Sequence, residues 1–303
     1  MKVLKGVLPI LVTPFDDEGQ LDEESLRKEV RFCVDAGAHG LVTLVVSSEF
    51  HTLTDDERQR VVEVVIGEMR RYPGEQQVPV VVGTAGVSAQ ATIRLSWQAE
   101  EAGVDAIIAM PPYVAHPGPQ GVYDYYRAIS DTVNVPIVVQ NAPPPTGTPM
   151  APELIAKMAR EIRGVEYVKE ETLPSTHKIT ELLNCAGEHL KGVFGGLGGR
   201  YFVDELHRGA CGIMSAGHLV DVQRKLYDLF QSGDERGARD TLNLLLPVQG
   251  LWSLLGIRVP KEVLRRRGII KSTYTRLPVP NLDSYDMHEL DEALKLVEPL
   301  FVI

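Results

Sequence analysis

Lys169 closes a short apolar run, Val165-Glu166-Tyr167-Val168-Lys169, and two acids follow it, Glu170 and Glu171. The segment reads as a short buried strand that ends in charge. Burying an amine is costly unless it has a partner or a task. The task that suits such a lysine is attack on a carbonyl to form a Schiff base, which requires the neutral amine that burial favours. Side chains alternate across a strand, so Tyr167, Lys169 and Glu171 share one face and Glu170 takes the other. A lysine and a carboxylate two residues apart then look into one cavity. The plainer alternative is a structural ion pair at the rim of the sheet; the polar ends of the neighbouring strands favour chemistry.

Those neighbours follow from the rhythm of the chain. Short apolar runs at 7–12, 40–45, 78–82, 106–110, 136–139, 167–169, 192–194 and 212–215 alternate with amphipathic segments. Asp22 is placed to cap a helix over 21–36, and Ser88 one over 89–102. Thr54-Asp55-Asp56-Glu57 is a capping box, and Pro152 fits the first turn of another helix. Eight strand–helix units with continuous apolar strands predict a parallel sheet covered by helices, and eight is the number that closes a (β/α)8 TIM barrel. The α/β barrel is expected over 1–220. A helical extension is expected over 221–303, with helices at 220–231, 235–254, 261–268 and 287–301. An open doubly wound sheet is disfavoured because no dinucleotide glycine motif follows an early strand.

Functional groups of such a barrel gather at the C-terminal ends of its strands. The second strand ends at Ser47 and Ser48, the fourth at Tyr113, the fifth at Gln140, the sixth at Lys169 and Glu171, and the seventh at Gly195 and Gly196. The glycine-rich run 195–199 lacks the Lys-Ser/Thr of a phosphate loop and reads as a close backbone approach.

Composition bounds the rest. The 303 residues carry a net charge of −10 with 44% hydrophobic residues, ordinary for a globular protein and contrary to nucleic-acid binding. Arg265-Arg266-Arg267 reads as a solvated helix end or a subunit contact rather than a phosphate patch. No segment has the length and apolarity of a membrane span, and the start of the chain lacks a secretory signal. Cys33, Cys185 and Cys211 are far apart and read as reduced, mostly buried thiols of a cytoplasmic protein. His51 and His218 read as structural, and no metal-ligand spacing occurs.

The strand ends together resemble the dihydrodipicolinate synthase / N-acetylneuraminate lyase family of class I Schiff-base enzymes. The resemblance runs from Gly6-Val7-Leu8-Pro9 through Val80-Val81-Val82-Gly83-Thr84, Pro111-Pro112-Tyr113 and Val168-Lys169-Glu170 to Gly209-Ala210-Cys211-Gly212. It implies that Lys169 is the imine-forming residue. The departures refine this. Ser47 stands where the family has a threonine that helps hold the substrate carboxylate. Gln140 replaces the proton-shuttling tyrosine, Pro145 an arginine, and Val114 a second tyrosine.

An amide does not titrate, so Gln140 cannot be the general acid/base; Glu171 is the available replacement. The pattern resembles the dehydratase branch, the 2-keto-3-deoxy-L-arabonate dehydratases. The resemblance implies water loss from a 2-keto-3-deoxy sugar acid to give 2,5-dioxopentanoate. Lys169, Glu171 and Gln140 would be catalytic, and Ser47, Ser48, Tyr113, Gly195 and Gly196 would contact substrate. No cofactor or metal is required. The expected partner is the small 2-keto acid, without nucleic acid or membrane, and the expected assembly is a homotetramer. The rivals are a retro-aldolase or hydratase-aldolase on another 2-keto acid, and a non-catalytic 2-keto-acid sensor.

Overall fold

The computed structural model describes residues 2–143 and 147–302. Pro145 therefore lies outside the described residues. Among them, eight parallel strands form one sheet in the order β1-β8-β7-β6-β5-β4-β3-β2. The strands are β1 (Gly6–Val7), β2 (Leu41–Thr43), β3 (Val80–Gly83), β4 (Ala106–Ala109), β5 (Ile137–Asn141), β6 (Val165–Glu170), β7 (Gly192–Gly195) and β8 (Gly212–Ile213). Ile10 bridges Val42 on one side and Ala216 on the other, which brings the ends of the sheet together. This is the expected (β/α)8 barrel.

The first strand is shorter than the 7–12 expected, because Pro9 has no N–H to give to the ladder. Pairing resumes beyond it: Ile10 N donates to Ser215 O at 2.7 Å and Leu11 N to Val42 O at 2.8 Å.

Continuous apolar strands such as Val80-Val81-Val82 are buried on both faces. Inward residues, among them Leu8, Ile10, Val42, Val81, Ile108, Val138, Tyr167, Phe194 and Met214, fill the cylinder. Each buried large side chain contributes roughly 1.5–3 kcal/mol, so the lower barrel is a packed plug rather than a channel.

Between strands run α1 (Glu23–Asp35), α2 (Asp55–Met69), α3 (Ala89–Ala102), α4 (Pro119–Ser130), α5 (Pro152–Glu161), α6 (Ser175–Ala186) and α7 (Phe202–His207). The caps are those the sequence indicates. Asp22 accepts from Ser25 N, Thr54 and Glu57 form the capping box, Ser88 accepts from Ala91 N, and Pro152 opens α5.

After β8 come α8 (Val220–Gln231), α9 (Glu235–Leu255), α10 (Arg258–Arg266) and α11 (Ser284–Val297). The third begins earlier than the expected 261, and α11 begins at Ser284 because Asp283 forms a capping box with Asp286. These helices share a separate apolar cluster, which includes Leu219, Val222, Leu245, Val248, Val263 and Leu294.

Candidate active site

The register of β5 on β6 sets Gln140 beside Lys169 and Val138 beside Tyr167. Tyr167 and Val138 belong to the inner plug, so Lys169 and Gln140 project inward one layer above it. Glu171 N donates to Asn141 O at 3.0 Å, which carries the extended alternation past the formal strand end. Glu171 therefore returns to the face of Lys169. The expected division of β6 into two faces holds: Glu170 points away and is closed in by Asn141 Nδ2 at 2.7 Å, Thr172 N at 2.7 Å and the Thr172 hydroxyl. Burial holds the Glu170 carboxyl above the usual carboxylate range despite those donors.

Lys169 is 4% exposed, and its Nζ lies 3.0 Å from Glu171 Oε2. Gln140 Nε2 donates to the same oxygen at 3.0 Å. The other carboxylate oxygen accepts from Leu197 N at 3.4 Å. A Cβ on Gly196 would come within 2.4 Å of Glu171 Oε1, so the glycine is what lets the acid lie over the end of β7. The arrangement has an immediate chemical capacity. Glu171 can receive the proton that Lys169 must lose before it attacks, and then stands beside whatever the amine has captured. Gln140 orients that carboxylate without titrating.

Lys169 and Glu171 open on a cavity of about 160 Å³ that Ser47 also lines. The remaining predicted contacts are distributed unevenly. Ser48 is buried, its hydroxyl donates to Leu11 O at 2.7 Å, and it is not among the cavity-lining residues. Tyr113 packs edge-on against Phe50, with ring centroids 5.8 Å apart, and stands outside the lining. Gly195 abuts a different acid: a Cβ there would lie 1.9 Å from Glu205 Oε2. Burial raises the Glu205 carboxyl to about 7, opposed by a hydrogen bond from Ser175. Leu197 and Gly198, one turn further on, line the cavity instead.

The cavity wall also contains residues that sequence reasoning missed. Ser215 ends the eighth apolar run, so the strand-end rule could have found it. Arg200 after β7, and Gln249, Trp252 and Ser253 of α9, complete the wall. No local pattern marks them, because a helix distant in sequence brings three of the four to the site.

The turn bearing Ser47 is anchored from below. Glu49 adopts a left-handed backbone conformation (φ 53°) and is fully buried. Its carboxylate pairs with Lys261 and accepts from Leu277 N at 2.9 Å, so the C-terminal segment holds the turn in place.

Other sequence candidates lie elsewhere. Arg265 and Arg266 pair with Glu262, Arg266 also with Asp291, and Arg267 with Asp221, which fits a helix end and not an anion patch. His51 packs on Phe50 and His218 on Trp252; burial lowers both imidazoles, His218 to about 3. Cys33 is buried and Cys211 partly so, but Cys185 is exposed, contrary to expectation, on the outward side of α6. Among the described residues, no helix is long and apolar enough to cross a membrane, and no group of three or more metal-ligating side chains converges.

A model of the dihydrodipicolinate synthetase family matches residues 3–297. The chain belongs to that family. It is 32% identical over 300 residues to the L-2-keto-3-deoxyarabonate dehydratase of Azospirillum brasilense, covering 98% of this chain and 95% of the relative. It is 34% identical over 297 residues to the 4-hydroxy-tetrahydrodipicolinate synthase of Pelobacter propionicus, covering 97% and 98%. Among solved structures, YagE, a prophage protein of the dihydrodipicolinic acid synthase family from E. coli K12 in complex with pyruvate, superposes with a TM-score of 0.87 at 25% identity, covering 99% of each chain. Family relatives of near-equal identity thus carry out different named reactions, and the side chains around Lys169 must decide between them.

Proposed function

We propose that this family member is a Schiff-base hydro-lyase acting on a 2-keto-3-deoxy sugar acid, with 2-keto-3-deoxy-L-arabonate as substrate and 2,5-dioxopentanoate as product. The observation that carries the reading is the shared Glu171 oxygen, 3.0 Å from both Lys169 Nζ and Gln140 Nε2. A titrating acid stands beside the amine, and an amide stands where a cleaving enzyme needs a titrating hydroxyl at the C4 oxygen.

Lys169 adds to the C2 ketone, and water leaves to give the protonated imine. The imine acidifies C3, and Glu171 removes a C3 proton to form the enamine. The enamine electrons expel the C4 hydroxyl, which takes a proton from Glu171 directly or through water and departs as water. A proton shift from C5 to C3 turns the resulting C3–C4 alkene into an enol and then the C5 aldehyde. Hydrolysis frees Lys169 and returns the water released on condensation, so the net change is loss of one water. Gln140 steers the departing hydroxyl. Ser47 and neighbouring backbone amides hold the C1 carboxylate, and the chain's own residues suffice for every step.

Homotetramer assembly belongs to the same proposal, and light scattering of the purified chain tests it. The function is tested by product analysis after incubation with 2-keto-3-deoxy-L-arabonate. The expected result is 2,5-dioxopentanoate with no pyruvate; pyruvate with a two-carbon aldehyde would establish cleavage and overturn the reading.

A further inference from the structure

Two buried polar side chains line the cavity without partners among the described residues. Gln249 of α9 is 1% exposed, and neither its amide oxygen nor its nitrogen is hydrogen-bonded. The Ser215 hydroxyl at the end of β8 is equally buried and equally unpartnered. Native interiors rarely leave such groups without water or ligand, because an unmet buried amide is costly. The Gln249 amide is held against the turn after β7: a Cβ on Gly198, whose φ is +73°, would stand 2.7 Å from Gln249 Oε1 and 3.1 Å from Trp252.

The proposed imine orients a bound substrate. Lys169 and Glu171 fix C2 and C3, and Ser47 takes the carboxylate. The α9 side of the cavity offers the rest of the chain the Gln249 amide. A neutral primary amide both donates and accepts, as a hydroxyl does, whereas a second carboxylate would call for a cation. The nearby guanidinium of Arg200 is already engaged, with Leu197 O at 3.1 Å and Ser253 Oγ at 2.9 Å.

We propose that Gln249, assisted by Ser215, is the specificity-determining residue for the neutral hydroxylated tail of the substrate, hydrogen-bonding the C5 hydroxyl of the chain held on Lys169. The placement of the tail rests on the imine reading above.

The test compares 2-keto-3-deoxy-L-arabonate with 4-hydroxy-2-oxopentanoate, the same chain lacking only the C5 hydroxyl, and with pyruvate, which has no tail. The half-saturating concentration for cyanoborohydride-trapped adduct is measured for each on the wild type and on Gln249→Leu. The wild type is expected to favour the pentonate over its deoxy analogue roughly tenfold, and Gln249→Leu to erase that preference while pyruvate trapping stays within about twofold. Pyruvate trapping also reports that the variant is folded. Equal losses on all three ligands, or an intact preference, would overturn the assignment. A wild type that traps none of them would sink the imine reading instead. The tail assignment would then be decided by the calorimetric affinity of the two proteins for the pentonate and its deoxy analogue.

Discussion

Among the described residues, two buried lysines pair with a glutamate, and the two pairs differ in everything except their chemical groups. Lys261 and Glu49 are fully buried, the ammonium also donates to Tyr274 O at 2.7 Å, and it lies 4.6 Å above the Phe15 ring. Glu49 has Leu277 N on its second oxygen. Every direction around that pair is filled. Lys169 has Glu171 as its polar partner among the described residues, and both open on the cavity. A closed pair ties chain segments together; a pair with one side left free can exchange a proton and take a third party. On the proposed imine reading, reactivity follows from the unfilled space beside the ions more than from their identity.

The contrast is tested most severely by removing each lysine. Lys169→Ala should form no borohydride-trapped adduct with pyruvate and should lose at least about 10⁴ in kcat, because the covalent route disappears with the amine. Mass spectrometry of the trapped protein reads this, and an adduct of wild-type yield on the variant would place the imine elsewhere. Glu171→Gln should separate the two roles of the open pair. The imine still forms, but turnover falls by roughly 10²–10⁴, the usual contribution of a positioned acid/base. A variant turning over near the wild-type rate would transfer the proton step to another group.

The closed pair should respond in the other currency. Lys261→Met leaves Glu49 buried without its cation, and unfolding free energy should drop by about 3–5 kcal/mol. Denaturant titration measures the drop. The variant that remains folded at low denaturant should still trap pyruvate on Lys169. Loss of trapping in folded Lys261→Met would show that the anchor under the Ser47 turn also tunes the reactive amine, and the two pairs would then be one system.

The sequence makes one half of this contrast visible and hides the other. Lys169, Glu171 and Gln140 lie on adjacent strands, where a period of two decides which face each side chain takes, so their convergence follows from local pattern and barrel closure. The barrel itself is legible for the same reason: eight apolar runs and their caps carry local signals. Ser48 turns away from the cavity because the turn after β2 curls into a short 3-10 helix, Val46–Ser48, where alternation no longer applies. Tyr113 lies outside the cavity lining because the chain leaves the strand direction after Met110, and its ring settles on Phe50. The Lys261–Glu49 pair and the placement of Gln249 depend on how the C-terminal helices dock on the barrel, across 212 residues in the first case. No periodicity records such a contact.

A third acid, near the closed pair, adds a pH-dependent effect. Glu29 is fully buried on α1; one oxygen accepts from Val12 N at 2.9 Å, and the other has no partner among the described residues. Burial raises its carboxyl to about 8, against the opposing pull of that hydrogen bond and of Lys261. Between the unfolded value near 4.5 and 8, the folded chain holds a proton that the unfolded chain releases. The stability owed to the protonated carboxyl is therefore complete below about pH 4.5 and is lost as the pH rises to about 8. Glu29→Gln keeps an acceptor for Val12 N and has no proton to release. Its unfolding free energy should gain on the wild type steadily from pH 5 to pH 8 and then run parallel to it. A constant offset across that range would mean that Glu29 is already ionised beside Lys261, and that the closed pair is a triad of charges.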